Sequence, residues 1–294
     1  MKRSDFRFAD PLRVRWAEVD MQKVVFNGHY LMYVDTAMGN WWRALALPYE
    51  ATLAALDGDL FVRKSTLEYL VPAHYDDALH VGIRFESAGT SSLRFVTAVF
   101  RGDELLVHGE IVYVWTDAAT RRPSPAPHAL VGAFRAHAAG EPMVTVTVGG
   151  WAALGVEAQA IRTAVFVDEQ KVPMALERDA ADDTAVHALA RNRLGLAVGT
   201  GRLLAGDGAG DPARIGRMAV SRALRGARIG NALLEALMAA AARRGDPEVM
   251  LHAQVSAVGF YERAGFQAHG ERFEEAGIGH LEMRCKPQVV NSTL

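Results

Sequence analysis

The segment from His29 to Ala46 places Tyr30, Tyr33, Val34, Ala37, Met38, Trp41, Trp42 and Leu45 at three- and four-residue spacing, which predicts a long helix with one broad apolar face. A helix with such a face must be wrapped by something. Four strand-like runs follow, "RKSTLEYLVP", "ALHVGIRFESAG", "SSLRFVTAVFRG" and "ELLVHGEIVYVWTD", parted by Gly, Asp and Pro, and a further run, "LRVRWAEV", precedes the helix. This order predicts an α+β arrangement in which one long helix is wrapped by a curved antiparallel meander.

The meander ends in "TRRPSPAPHALVGAFRAHAAGEPM", which carries Pro123, Pro125, Pro127 and Pro142. Proline removes ladder and helix hydrogen bonds, so this stretch predicts an exit from the sheet and a linker, with a boundary near Gly140. A length of 294 residues also favours two domains. Beyond the boundary the element order changes: a strand "MVTVTVG", a helix around "EAQAIRTAVFVDEQ", strands "AVHALARN", "GLAVGTGRLLA" and "RIGRMAV", a helix Asn231 to Arg244, a strand "VMLHAQ", a short helix "SAVGFYERAG" and a terminal pair. Alternation of strands and helices predicts an α/β domain, a mixed sheet with helices on both faces. The expected domains are therefore 1–140 and 141–294, unlike modules in one chain.

Several classes fall away on composition. Basic and acidic residues nearly balance, 32 against 34, so no nucleic-acid surface is expected. No apolar run reaches membrane-spanning length, and the N-terminus lacks the apolar core of a signal peptide, so a cytoplasmic protein with no membrane partner is expected. Cys285 is the sole cysteine, which excludes an intramolecular disulfide and a cysteine-based zinc site; no metal is expected.

Asp20 stands between the first strand-like run and the long helix, seven residues before Asn27. A carboxylate there can orient water or attack a carbonyl, while free N–H groups at a helix start polarise the carbonyl oxygen. An aspartate between strand and helix also serves as a turn former or cap, and the residues alone leave both readings open. Together with "VVFNGHY", "LEYLVPAHYDD", the loop "GTSS" and the closing "VYVWTDAATRRPSP", the segment resembles the hotdog-fold acyl-CoA thioesterases of the 4-hydroxybenzoyl-CoA thioesterase type, from Leu12 to about Pro127. The resemblance implies Asp20 as nucleophile or general base and the N–H near Asn27 as the group that polarises the thioester. It also implies a homodimer or homotetramer formed through this domain, with acyl-CoA as substrate. Many relatives have two glycines after the aspartate and a histidine where Asn27 stands; this chain has Met21-Gln22-Lys23 and Asn27. His29 is either a substitute for the missing histidine or a surface or packing residue beside the helix start, and Glu18, Glu68 and His74 are either further polar candidates or solvated strand ends.

In the second half, "RMAV" runs into Arg225-Gly226-Ala227-Arg228-Ile229-Gly230 and then a helix. The hexapeptide fits neither the phosphate loop of nucleotide hydrolases nor the dinucleotide fingerprint. A tight turn into a helix start still aims N–H groups at an anion, and Arg225 and Arg228 add positive charge where the helix dipole disfavours it unless an anion binds. A plain helix start with solvent-facing arginines is the competing reading. Paired with "AVGFYERAGF", the hexapeptide resembles the pyrophosphate loop of GNAT N-acetyltransferases over Val144 to Lys286. "RTAVFVDEQKVP", "HAQVSAVGFYERAGF" and "EEAGIGHLEM" resemble the ElaA-like subgroup.

That resemblance implies acetyl-CoA as donor and an amine as acceptor. The main chain of Met218, Ala219 and Val220 would hold the pantetheine arm, Arg225, Gly226, Ala227, Arg228, Ile229 and Gly230 the pyrophosphate, and Tyr261 would protonate the leaving thiolate. Ser256 is expected to cap the short helix. An amine must shed a proton, and Glu169, His252 and His280 are the candidate bases. The acidic run Glu177, Asp179, Asp182 and Asp183 suits either a cationic amine or a solvated loop. The whole predicts a bifunctional CoA-thioester enzyme; the alternative is one catalytic half joined to a dimerisation platform or a CoA-binding sensor.

Overall fold

In the computed structural model, which describes residues 1–208, 210–275 and 277–287, the chain divides into two units, Met1–Met143 and Val144–Leu294. Ala276, within the "EEAGIGHLEM" run, and residues 288–294 lie outside the described residues.

The apolar stripe of the first unit forms α1 (Asn27–Ala44), which starts two residues before the periodic pattern does. Every residue of the expected face is buried, and Trp41 is fully enclosed. The strands are β1 (Phe8–Arg13), β2 (Gly58–Tyr69), β3 (Ala78–Ala88), β4 (Ser92–Arg101) and β5 (Glu104–Asp117), with a short α2 (Tyr49–Ala55) before β2. They form one antiparallel sheet in the order β1-β3-β4-β5-β2. Only β3, β4 and β5 follow one another as a meander; β2 returns to the far side of β5, from Gly58 opposite Asp117 to Tyr69 opposite Val107.

Two expectations are corrected in this unit. The run "LRVRWAEV" leaves the sheet at Arg13, and Trp16–Glu18 turn into a single 3-10 turn held by the Arg15 N–H donating to Glu18 Oε2 at 2.7 Å. The proline-rich stretch is not all linker. Its middle is α3 (His128–Ala139), begun after Pro127, where a missing N–H costs nothing, and stopped by Gly140 at φ +83°. Phe134 of α3 is fully buried, with ring centroids 4.9 Å from Trp41, 5.3 Å from Phe85 and 5.7 Å from Phe95. Both α1 and α3 therefore cover the sheet.

The second unit runs β6 (Val144–Gly149), α4 (Trp151–Arg162), a π-helical turn Thr163–Glu169, α5 (Met174–Glu177), β7 (Val186–Asn192), β8 (Ala197–Leu204), β9 (Ala213–Val220), α6 (Ile229–Arg244), β10 (Val249–Gln254), α7 (Val258–Arg263), β11 (Gln267–Glu275) and β12 (Ile278–Cys285). The sheet order is β11-β12-β10-β9-β8-β7-β6, antiparallel except for β9 and β10, whose parallel pairing needs the crossover helix α6. Leu189 packs with Leu154 and Ala158 of α4. On the opposite phase of the pleat, Gly199 and Gly201 let Leu233 and Leu237 of α6 approach the sheet. Helices thus cover both faces, as the sequence predicts.

Candidate active sites

In the first unit, Val19 and Val25 form an isolated antiparallel bridge, and the tip between them holds Asp20. The Asp20 N–H donates to the Val24 carbonyl at 2.9 Å, and Lys23 takes φ +64° to close the turn. Asp20 Oδ1 accepts the Gln22 N–H at 2.8 Å, so the aspartate is a turn former. Asp20 and Asn27 both line a cavity of about 350 Å³ whose walls include Val25, Tyr30, Tyr69 and Pro72. Asn27 and Gly28 open α1, so their N–H groups have no intrahelical acceptor, while the His29 N–H already donates to Phe26 at 2.9 Å. The Tyr69 hydroxyl donates to the Asn27 carbonyl at 3.2 Å, tying the helix start to β2.

Three of the other polar candidates are engaged. Glu18 is buried and accepts from Tyr33 Oη at 2.7 Å and from Arg15. Burial would raise its carboxyl, but those hydrogen bonds outweigh it and hold it below the usual range. Glu68 lies 3.3 Å from His108, and the His74 N–H donates to Asp77 at 2.8 Å. His29 is outside the cavity lining, against the Phe26 ring, with its buried Nδ1 unpartnered. Trp42, with Met38, Tyr49, Phe95 and Tyr113, lines a separate cavity of about 320 Å³ between helix and sheet.

In the second unit, β9 and β10 pair only from Val249 opposite Ala213 to Leu251 opposite Ile215, and then part. The cause is a bulge in β9: Thr200 faces Ala219 but Arg202 faces Gly216, and Arg217 sits in the bulge at φ +52°. Arg217 is tied there, donating from Nε to the Glu177 carbonyl at 3.0 Å and from a terminal nitrogen to the Leu176 carbonyl at 2.9 Å. The parting opens a cleft of about 380 Å³ lined by Gly216, Met218, His252, Gln254, Tyr261 and His280 among others. The Ser221 N–H donates to Val198 at 3.0 Å, which fixes the ladder phase. Ala219 therefore bonds towards β8, while the main-chain groups of Val220 face the vacated side. Tyr261 is buried, and burial pushes its phenol up to about 12, so it carries its proton throughout the neutral range.

The hexapeptide leads into α6 through two left-handed residues, Gly226 at φ +90° and Arg228 at φ +60°. Ile229, Gly230 and Asn231 open the helix with N–H groups that lack intrahelical acceptors. Arg228 occupies a backbone region that favours glycine, and this explains why its side chain first looks out of place in the loop. Arg225 is already paired: it donates to both oxygens of Glu169 at 2.6 and 2.7 Å, and from Nε to the Val220 carbonyl at 3.3 Å.

Three expectations change here. Hydrogen bonds from Arg225 hold the Glu169 carboxyl below its ordinary range, which makes it a poor base. His280 has Nδ1 2.7 Å from the Ile278 carbonyl, and His252 Nδ1 lies 3.0 Å from Arg214 and 3.3 Å from Glu275; both rings line the cleft. Ser256 caps nothing, since α7 is preceded by Ala257 and the turn before it by Gln254, neither with a side-chain cap. The acidic run is not a wholly solvated loop. Glu177 and Asp182 are buried, paired with Arg162, and Asp182 also binds Arg202 at 2.8 Å. Nothing in the run itself signals this, because the partners lie on other elements. Among the described residues no group of three or more His, Cys, Asp or Glu is placed to hold a metal ion, and no helix is long and apolar enough to cross a membrane.

Residues 153–287 match the family described as "Acetyltransferase (GNAT) domain", and residues 14–134 match "Thioesterase-like superfamily". The "Uncharacterized N-acetyltransferase YjcF" of Bacillus subtilis is 36% identical over 124 residues, 42% of this chain and 86% of the relative. The "Acyl-CoA thioester hydrolase YbgC" of Escherichia coli O6:H1 is 27% identical over 129 residues, 44% of this chain and 96% of the relative. A solved thioesterase of Thermus thermophilus, complexed with coenzyme A and Zn, is 28% identical, covers 47% of this chain and 98% of its own, and has a TM-score of 0.41.

Proposed function

We propose, from the premise that the chain belongs to the GNAT acetyltransferase family through its second half and to the thioesterase-like superfamily through its first, that it carries two CoA-thioester activities. Residues 1–140 hydrolyse an acyl-CoA, and residues 141–294 transfer acetyl from acetyl-CoA to an amine. The observation that carries the reading is the parting of β9 and β10, which turns main-chain groups of a sheet into a cleft that also holds a phenol.

In the transferase, Met218 and Val220 pair with the pantetheine arm, and the turn Arg225–Gly230 with the opening N–H groups of α6 holds the pyrophosphate. The neutral amine attacks the acetyl carbonyl, the C–S bond breaks, and Tyr261 gives its proton to the departing thiolate. His252 and His280, which line the cleft, are the remaining candidates to take the amine proton. In the hydrolase, Asp20 activates water or attacks the thioester carbonyl directly, and the N–H groups of Asn27 and Gly28 take the developing oxyanion.

The same reading makes the protein a cytoplasmic homodimer or homotetramer. Its support is β2, a 12-residue edge strand with one side unpaired and with Phe61, Val62 and Tyr69 exposed. Sedimentation of the full chain as a monomer would count against it. Activity is tested by thiol release from a panel of acyl-CoAs, with and without primary amines. The expected result is amine-independent release from some longer or aromatic acyl-CoAs and amine-dependent release from acetyl-CoA. Release from acetyl-CoA that no amine accelerates would overturn the transferase assignment, and an inert acyl-CoA panel would overturn the hydrolase.

A further inference from the structure

Two histidines line the transferase cleft, and the groups around each decide which ring nitrogen carries the proton. His280 Nδ1 lies 2.7 Å from the Ile278 carbonyl, two residues back on β12. A carbonyl oxygen only accepts, so Nδ1 is the protonated nitrogen and Nε2 keeps its lone pair; with the ring turned over, a carbon would stand at that distance instead. His252 has the opposite neighbour. Its Nδ1 lies 3.0 Å from a terminal nitrogen of Arg214, and a guanidinium only donates, so here Nδ1 holds the lone pair and Nε2 carries the proton. Glu275 Oε2 is further off, 3.3 Å from the same unprotonated nitrogen.

The strand register puts both rings on one face of the sheet. His280 stands opposite Gln254 on β10, two residues along from His252, and opposite Phe273 on β11, whose ring stacks on it with 24° between the planes. Among the described residues nothing hydrogen-bonds His280 Nε2, and it is not an enclosed atom as His29 Nδ1 and His80 Nδ1 are. It is therefore open to the cleft that the ring lines. The other charged groups of the lining are occupied. Glu177 is enclosed and paired with Arg162, in an ionic network that also joins Asp182, Arg202 and Asp179; Arg217 is tied to that network, and Arg214 and Glu275 flank His252. Glu282, on the same face of β12 as His280, is held by Arg284 at 2.7 Å.

We infer that His280 Nε2 is the general base of the acetyl transfer, and that His252 is a hydrogen-bond donor in the same cleft rather than a second base. The acceptor's ammonium gives a proton to Nε2, and the Ile278 carbonyl holds the imidazolium from its other side. The freed lone pair forms the C–N bond, the C–S pair leaves on sulfur, and Tyr261 protonates the thiolate. The proton still to be lost from the adduct nitrogen restores the Tyr261 phenol, and His280 sheds its own to solvent. One ammonium and one thioester thus become one amide, one thiol and one released proton.

This assignment rests on the transferase reading, and the experiment separates the two. Full-length protein saturated with acetyl-CoA is assayed near neutral pH with primary alkylamines, which arrive as ammonium, and with O-alkylhydroxylamines of the same chain length, which arrive neutral. His280→Gln should lower kcat/KM for the alkylamine by about 10²-fold and for its neutral counterpart by no more than about threefold, because only the first has a proton to lose before attack. The alkylamine rate of that variant should recover as pH rises and free amine accumulates. His252→Gln should produce no such split between the two substrates. With His280→Gln, equal loss on both substrates or no loss on either overturns the assignment, and so does a split produced by His252→Gln. If His280→Gln does not fold, nitrogen NMR of the wild-type imidazoles decides: His280 is expected as the Nδ1–H tautomer and His252 as the Nε2–H tautomer, and an Nε2–H tautomer at His280 overturns the assignment. Acetylation of neither substrate by the wild type removes the transferase reading and the assignment with it.

Discussion

The two candidate sites handle protons from opposite positions. In the first unit the carboxylate proposed to react, Asp20, rides on a hairpin tip beside an exposed Asn27, held by a single hydrogen bond from its own turn. In the second the phenol of Tyr261 is buried in a cleft opened inside a sheet, and its surroundings raise its affinity for a proton. A carboxylate that must stay ionised is best left near water; a phenol that must stay protonated gains from being enclosed. Each site's exposure therefore suits the protonation state that the proposed chemistry needs.

The sharpest way to break this contrast is Asp20→Asn. Acyl-CoA hydrolysis should fall by about 10²- to 10⁴-fold, while amine acetylation and Tm are unchanged; an unaltered rate would leave Asp20 as a turn former only. Next in size is Tyr261→Phe, expected to lower kcat for acetylation by about 10²-fold without touching hydrolysis. Because an acid is active below its pKa, the Tyr261-dependent rate should hold as pH rises through the neutral range and be lost only towards about 12. A fall in kcat centred well below that value, near neutral pH, would assign the acid elsewhere.

Smaller effects sharpen the second site. Gly226→Val forces a branched residue to φ +90° and should raise the Kd for acetyl-CoA about tenfold, as titration calorimetry would show. Arg228→Gly should keep that Kd within about twofold. Relief of the left-handed conformation, about 1 to 2 kcal/mol, less the extra chain entropy of glycine, about 0.5 to 1 kcal/mol, leaves a stability gain of about 0 to 1.5 kcal/mol by urea unfolding. A larger loss of affinity with Arg228→Gly would mean that the guanidinium itself grips phosphate. Smallest is Glu169→Gln. The Arg225–Glu169 pair is 42% and 28% exposed at its side chains, so stability should change by less than about 1 kcal/mol and kcat by less than about twofold. A collapse of kcat would restore Glu169 as the base.

What could be read from the chain was whatever repeats locally. The face of α1 declares itself because eight apolar residues recur at helical spacing, and "GFYERAGF" with the hexapeptide marks a family through short fixed motifs. Helix α3 was hidden because four prolines nearby signal a linker more loudly than Leu130 and Phe134 signal a core. The ionic network was hidden for a different reason: an acidic run looks the same whether water or a distant arginine receives it, and Arg162, Arg202 and Arg217 sit on three other elements. Gly216 stands beside the bulge in β9, but it is Arg217 that takes the left-handed backbone, a residue type that does not announce it.

That bulge also bears on the order in which the molecule assembles. Arg217 finds its anchoring carbonyls on Leu176 and Glu177, 41 and 40 residues earlier in the chain. Local strand pairing between β8 and β9 can form without them, but the angle at which β9 turns away from β10 is fixed only when this distant segment docks. Closing so long a loop is slow relative to forming a hairpin. The cleft should therefore acquire its final shape late in folding, after the sheet around it has already formed.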